Sequence, residues 1–93
     1  MTTPIISYIN IDENPGYVEF ICGVCKKRVV PYLVDQHCDF CNQVQDWESI
    51  LKQGCFEMLD NSIRLKGTAL TEYIKASQND RQAFIRRLNI RER

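Results

Sequence analysis

Two cysteine pairs constrain this chain more than anything else in it: Cys22-Gly23-Val24-Cys25 and, after twelve further residues, Cys38-Asp39-Phe40-Cys41. Two residues between cysteines let the backbone turn in a tight knuckle that aims both sulfurs at one point. Two such knuckles supply four thiolates, enough to close a tetrahedral shell around one zinc ion with bonds of about 2.3 Å. A closed shell has no position left for substrate, so its chemistry is structural. Soft sulfur ligands select zinc or iron over magnesium or calcium. Zinc is the default because it is redox-silent and asks only for geometry. The other readings are two disulfides, a redox pair and an iron centre. No secretory signal peptide opens the chain and a fifth cysteine, Cys55, leaves an odd count, which weighs against disulfides.

The chain needs such a staple. With 93 residues it makes one compact domain, and a chain of that size buries only about 60–65% of its unfolded surface. Its hydrophobic fraction of 44% is that of a globular protein. No apolar run approaches a membrane span of about 20 residues. Thiols kept as metal ligands point to a reducing compartment, cytoplasm or nucleus.

Twelve basic residues balance twelve acidic ones. A neutral chain does not coat nucleic acid by bulk electrostatics. The charge is uneven, however. Lys26, Lys27 and Arg28 follow the first knuckle, and Arg81, Arg86, Arg87, Arg91 and Arg93 crowd the C-terminus. These basic residues, Arg93 aside, are the candidate partner contacts. Solvation, or compensation of a four-thiolate centre, is the plainer role for the first group.

In chain order, Ile5 to Ile11 is β-branched and aromatic and predicts a strand. Asn14-Pro15-Gly16 suits a type II turn, since proline fixes φ and glycine supplies a positive one. Tyr17 to Ile21 predicts a second strand, with Val18 and Phe20 on one face and Tyr17, Glu19 and Ile21 on the other. Val29 to Val34 reads as an edge strand because Pro31 cannot donate a ladder bond. Asn42 tolerates the left-handed conformation a knuckle needs. Val44, Trp47, Leu51, Cys55 and Met58 fall at helical intervals, predicting a helix from residue 44 through about Leu59, with Trp47 packed on the zinc hairpin. The alternative ends the helix at Gly54 and makes Phe56 to Leu65 a hairpin turning at Asp60-Asn61. Thr68 is the N-cap candidate of a further helix lined by Leu70, Tyr73, Ile74 and Ser77. Asn79 or Asp80 would cap the last helix, with Phe84, Ile85 and Leu88 buried and Arg86 and Arg87 outward.

The knuckles and their flanking strands resemble the zinc-ribbon and treble-clef families over roughly residues 17–60. Ribbons carry both knuckles on hairpin tips; treble clefs place the second at the start of a helix, and the run from Cys38 into Val44 looks more like the latter. The resemblance implies Cys22, Cys25, Cys38 and Cys41 as ligands of one structural zinc. Lys26 and Asn42 stand where these families commonly have glycine. The expected fold is α+β: a small zinc-stapled β-hairpin module over residues 1–43, followed by two to three short α-helices over 44–93 packed on it.

His37 abuts Cys38 but reads as a surface or second-shell histidine, because four better ligands exist. Cys55 reads as a small core hydrophobe. No nucleophile, base and orienting group form a recognisable set, so no enzyme activity and no small-molecule substrate are expected. The expected role is a binding or regulatory protein acting on a protein partner, with Tyr8, Tyr32 and Phe40 as exposed aromatic candidates. The alternative is a nucleic-acid-binding transcription regulator, in which the last two helices form a helix-turn-helix and Arg81, Gln82 and Arg86 open the recognition helix.

Overall fold

The computed structural model describes residues 1–31 and 37–91. Its scaffold is an antiparallel sheet. β1 (Ile5–Asn10) pairs with β2 (Tyr17–Ile21) across the Asn14–Tyr17 turn. In that turn Tyr17 N–H donates to Asn14 O at 2.9 Å and Gly16 has φ of +81°, as the Pro-Gly dipeptide requires. Gly16 is needed a second time for space: a Cβ there would lie 2.7 Å from Leu65 O. Val18 and Phe20 are buried while Tyr17, Glu19 and Ile21 are half-buried, the expected alternation. In β1, Ile6 and Ile9 are both buried although three residues apart. A register irregularity between Ile6 and Tyr8 shifts the pleat and brings both isoleucines to the core face.

β3 (Arg28–Val29) pairs with β2 and is short; of the expected Val29–Val34 strand, residues 32–34, Tyr32 included, lie outside the described residues. α1 (Trp47–Leu51) is also short. Asp46 is its N-cap, accepting from Ser49 N–H at 3.2 Å. The helix expected to run from 44 through Leu59 is therefore corrected. Val44 and Gln45 form bridges rather than helical turns, Gly54 takes φ of +83°, and the chain returns as a hairpin of β4 (Phe56–Leu59) and β5 (Ser62–Leu65). The turn falls at Asp60-Asn61, where Asp60 is left-handed at φ of +55°. The cause is tertiary. β5 pairs with the open edge of β2, Tyr17 opposite Arg64 and Val18 opposite Ile63, which satisfies backbone groups and buries Ile63 and Leu65. The strand order is β1-β2-β5-β4, with β3 also on β2, so the sheet draws strands from both sides of residue 43.

α2 (Gly67–Lys75) and α3 (Gln78–Arg91) complete the fold. Lys66, not Thr68, holds the N-cap position of α2, without a side-chain cap bond. Tyr73 is buried and Leu70 half-buried, but Ile74 and Ser77 face solvent, correcting the expected lining. Ser77 rather than Asn79 or Asp80 caps α3, its Oγ accepting from Asp80 N–H at 3.3 Å. Phe84, Ile85 and Leu88 are buried as expected, and Phe84 meets Tyr73 edge-on at 5.6 Å between centroids. No described helix is long and apolar enough to cross a membrane.

α3 also closes the outer edge of β1. Asn89 accepts from Ile6 N–H at 2.8 Å and donates to Ile6 O at 3.0 Å, the two bonds a neighbouring strand would have made. Asn89→Ala leaves both backbone groups unpaired and partly buried, so a loss of about 1–3 kcal/mol is expected in urea unfolding. An unchanged midpoint would show that water replaces the amide at no cost.

Candidate metal centre

The two knuckles are built alike. In the first, Cys22 N–H donates to Lys27 O at 2.8 Å and Cys22 O accepts from Lys26 N–H at 3.1 Å. In the second, Cys38 N–H donates to Gln43 O at 2.8 Å and Cys38 O accepts from Asn42 N–H at 2.9 Å. Both turns need a left-handed residue after the second cysteine, and Lys26 and Asn42 take it at φ of +64° and +62°. Asn42 is suited to this; Lys26 adopts it without the glycine common at such positions and places its Nζ on Gly23 O at 2.7 Å. The first knuckle joins β2 to β3, and the second lies inside the antiparallel bridge His37–Val44. α1 starts only at Trp47.

This symmetry brings four sulfurs together. The Sγ atoms of Cys22, Cys25, Cys38 and Cys41 lie within 4.8 Å of one another, and the Cys22–Cys41 and Cys25–Cys38 pairs are each 3.6 Å apart. A tetrahedral shell with bonds of about 2.3 Å has sulfur–sulfur edges of about 3.8 Å. A disulfide would need about 2.05 Å, and none of the five cysteines forms one. The donor set thus fits one metal ion. Cys22 and Cys38 are buried, Cys25 and Cys41 half-buried.

The surroundings favour thiolate unequally. Val24 N–H reaches Cys22 Sγ and Phe40 N–H reaches Cys38 Sγ, both at 3.4 Å. Burial pushes the Cys22 thiol up, but donors from the Cys25 and Val24 backbone, Gln45 and Cys41 outweigh it and bring its pKa down to about 6. Cys38 is lowered by the backbone N–H groups of Cys41 and Phe40 against burial. For Cys41 the Gln43 N–H lowers the pKa, yet burial and the thiols of Cys22, Cys25 and Cys38 raise it to about 11.

No family model, curated protein or solved structure matches this chain. What the site does must be read from its own residues.

The other candidates scatter. His37 is exposed and Cys55 half-buried against the core, and neither joins the sulfur cluster. Arg28 pairs with Glu19 at 3.6 Å. Lys27 and Arg87 lie over the rings of Phe40 and Phe84 at 5.8 and 5.5 Å. Arg81 donates from Nε to Tyr73 O at 2.9 Å and from a terminal nitrogen to Ile74 O at 2.8 Å, tying down the end of α2. Arg86 is exposed, and the side chain of Arg91 lies outside the described residues.

Gln45 is the site residue that sequence reasoning missed. Its side chain is only 1% exposed. Its Nε2 donates to Cys22 Sγ at 3.3 Å and to Gln43 O at 3.0 Å. The only local signal is that Gln45 alternates with exposed Val44 on the strand-like return from the second knuckle. Groups that hydrogen-bond a ligand atom commonly govern metal affinity by 10–100-fold. Gln45→Ala is therefore expected to weaken metal binding about 10-fold in competition with a chromophoric chelator, and an unchanged affinity would reduce Gln45 to a packing residue.

Proposed function

We propose that this chain is a small protein-binding module of zinc-ribbon type, with one zinc ion held by Cys22, Cys25, Cys38 and Cys41 as a structural staple. Four sulfurs at tetrahedral spacing suit zinc better than the hard cations. A shell closed by four protein ligands has no open position for a substrate, which supports a non-catalytic role. Both knuckles lie on hairpin tips and α1 begins well after Cys41, which supports the ribbon over the treble clef.

The observation that favours a protein partner over nucleic acid is the use of the basic residues. Net charge is zero. Lys26, Arg28 and Arg81 have polar partners within the chain, and Lys27 and Arg87 lie over aromatic rings. Arg81, the residue expected to open a recognition helix, instead holds α2 to α3, which suits an αα-hairpin closing the core.

Retention on immobilised heparin and on duplex DNA as salt is raised tests this choice. Weak retention with a shallow slope is expected. A log–log slope of about −0.9 per phosphate contacted, diminished in an Arg86→Ala/Arg87→Ala variant, would transfer the function to nucleic-acid binding through α3. Elemental assay of the purified chain should find one zinc per molecule.

A further inference from the structure

The two knuckles hold the same kind of residue at the same place. Val24 and Phe40 each precede the second cysteine of their pair, and each has its N–H fixed to the first cysteine's sulfur. With the backbone pinned that way, the side chains stand outward: Val24 is 55% and Phe40 69% exposed. The N-terminal segment joins the same end of the molecule. Thr2 N–H donates to Val44 O at 2.9 Å, and a Cβ on Gly23 would meet Thr2 Oγ1 and Thr3 O. Met1 and Val44 are exposed beside these contacts. Among the described residues, four of the seven large apolar side chains left in solvent, Met1, Val24, Phe40 and Val44, therefore lie at the metal-centre end, while Tyr8, Leu59 and Ile74 lie on β1, β4 and α2. Exposed apolar side chains grouped at one end of a small protein mark an interaction surface. An aromatic anchor on a backbone that loses little freedom is the usual energetic centre of such a surface.

The charge beside the patch says what covers it. Lys26, Lys27 and Arg28 directly follow the first knuckle in the chain, and all three are exposed. Lys27 Nζ lies 5.8 Å from the Phe40 ring centroid, so a cation stands over the patch's aromatic side chain. An aromatic with a cation over its face suits an incoming apolar side chain flanked by carboxylate. Nucleic acid fits less well: Arg28 is paired with Glu19, and one cation beside one aromatic gives too little positive charge to follow a phosphate backbone, whereas it suffices for a single carboxylate next to an apolar anchor.

We infer that the knuckle tips, Val24 and Phe40 with Lys27, form the docking surface for an acidic segment of a protein partner that carries apolar anchor residues. This rests on the protein-binding function proposed above and names the surface and the chemistry of its partner.

The test pans a random-peptide display library against the zinc-loaded full chain, then measures one selected peptide by calorimetry on wild type and on Phe40→Ala and Lys27→Glu. Both substitutions lie on exposed side chains, and unchanged zinc content and circular dichroism verify the fold. The expected peptides combine Asp or Glu with Leu, Phe or Trp. Phe40→Ala should weaken binding about thirtyfold, the effect of truncating an anchor aromatic. Lys27→Glu should weaken it and remove its salt dependence. Peptides that bind both variants as well as wild type would overturn the surface but leave a protein-binding function standing, and so would selected sequences lacking acidic residues. No enrichment, with a single-stranded oligonucleotide binding wild type but not Phe40→Ala, would overturn both.

Discussion

Stripping the metal from this protein, or replacing Cys22 by serine, is expected to unfold it. Structural zinc bound by thiolates supplies on the order of 10 kcal/mol of folding free energy, and a domain of this size has only about 5–15 kcal/mol in all. Cys22 is the most consequential ligand to lose: its side chain is fully buried, and its sulfur collects donors from Val24 and Gln45. Chelator titration followed by far-ultraviolet circular dichroism and Trp47 fluorescence should show one cooperative loss of structure, with the released ion counted at one per chain. A metal-free chain that keeps a cooperative melt near that of the loaded protein would refute the staple. Acid should do the same, because protons compete for all four thiolates. In the metal-free chain the signs differ between cysteines. Cys22, depressed from 9.0 to about 6, stabilises the fold above the ordinary thiol value, and that contribution is lost as pH falls through about 6. Cys41, raised to about 11, contributes below the ordinary value and loses its contribution as pH rises through about 11. These contributions are smaller than the one lost with the metal, so the metal-free chain stays unfolded but lies nearest to folding between these limits, and metal retention rises with pH across the same range.

Phe20→Ala is the second substitution with a large expected effect. Phe20 is 1% exposed on β2, two residues before Cys22, and its ring meets Trp47 of α1 edge-on at 5.0 Å and 83°. It also pairs across the sheet with Ile6 on β1 and Val29 on β3. Truncating a buried phenylalanine costs about 3–5 kcal/mol. For a chain of about this length that is a fall in melting temperature of more than about 12 °C. Thermal unfolding of the zinc-loaded variant checks it, with Trp47 emission shifting to the red as its packed face opens to water. A loss below about 1 kcal/mol would mean that α1 collapses into the space and that the Phe20–Trp47 contact does not join helix to sheet.

The parts of this fold that short stretches of sequence encode were legible there. The cysteine spacing picks out the four sulfurs that the structure brings together, because a knuckle is closed by its own backbone bonds. Pro15-Gly16 and Asn42 fix local dihedrals. Phe84, Ile85 and Leu88 repeat at a helical interval and are buried. From Gly54 to Leu65 the helical stripe favoured a helix through about Leu59 over the hairpin, and the structure reverses that. Glu57, Met58 and Leu59 are good helix formers, while Gly54 and Asp60-Asn61 break helices. Nothing within those residues reveals the open edge of β2 that decides between them.

The candidate site divides in the same way. Its sulfurs came from local spacing; the amide that serves them did not. Gln45 reaches a cysteine 23 residues away and Asn89 an isoleucine 83 away, and neither side chain carries a local pattern that announces its partner. Arg81 looked available to a ligand until α2 offered it two carbonyl oxygens. By itself, then, the sequence determined where a metal could bind and which turns bracket the strands, because covalent geometry and neighbouring residues set both. Only the tertiary structure decided how residues 56–65 fold and which polar side chains are engaged. Those outcomes depend on which hydrogen-bonding groups the distant chain leaves unpaired.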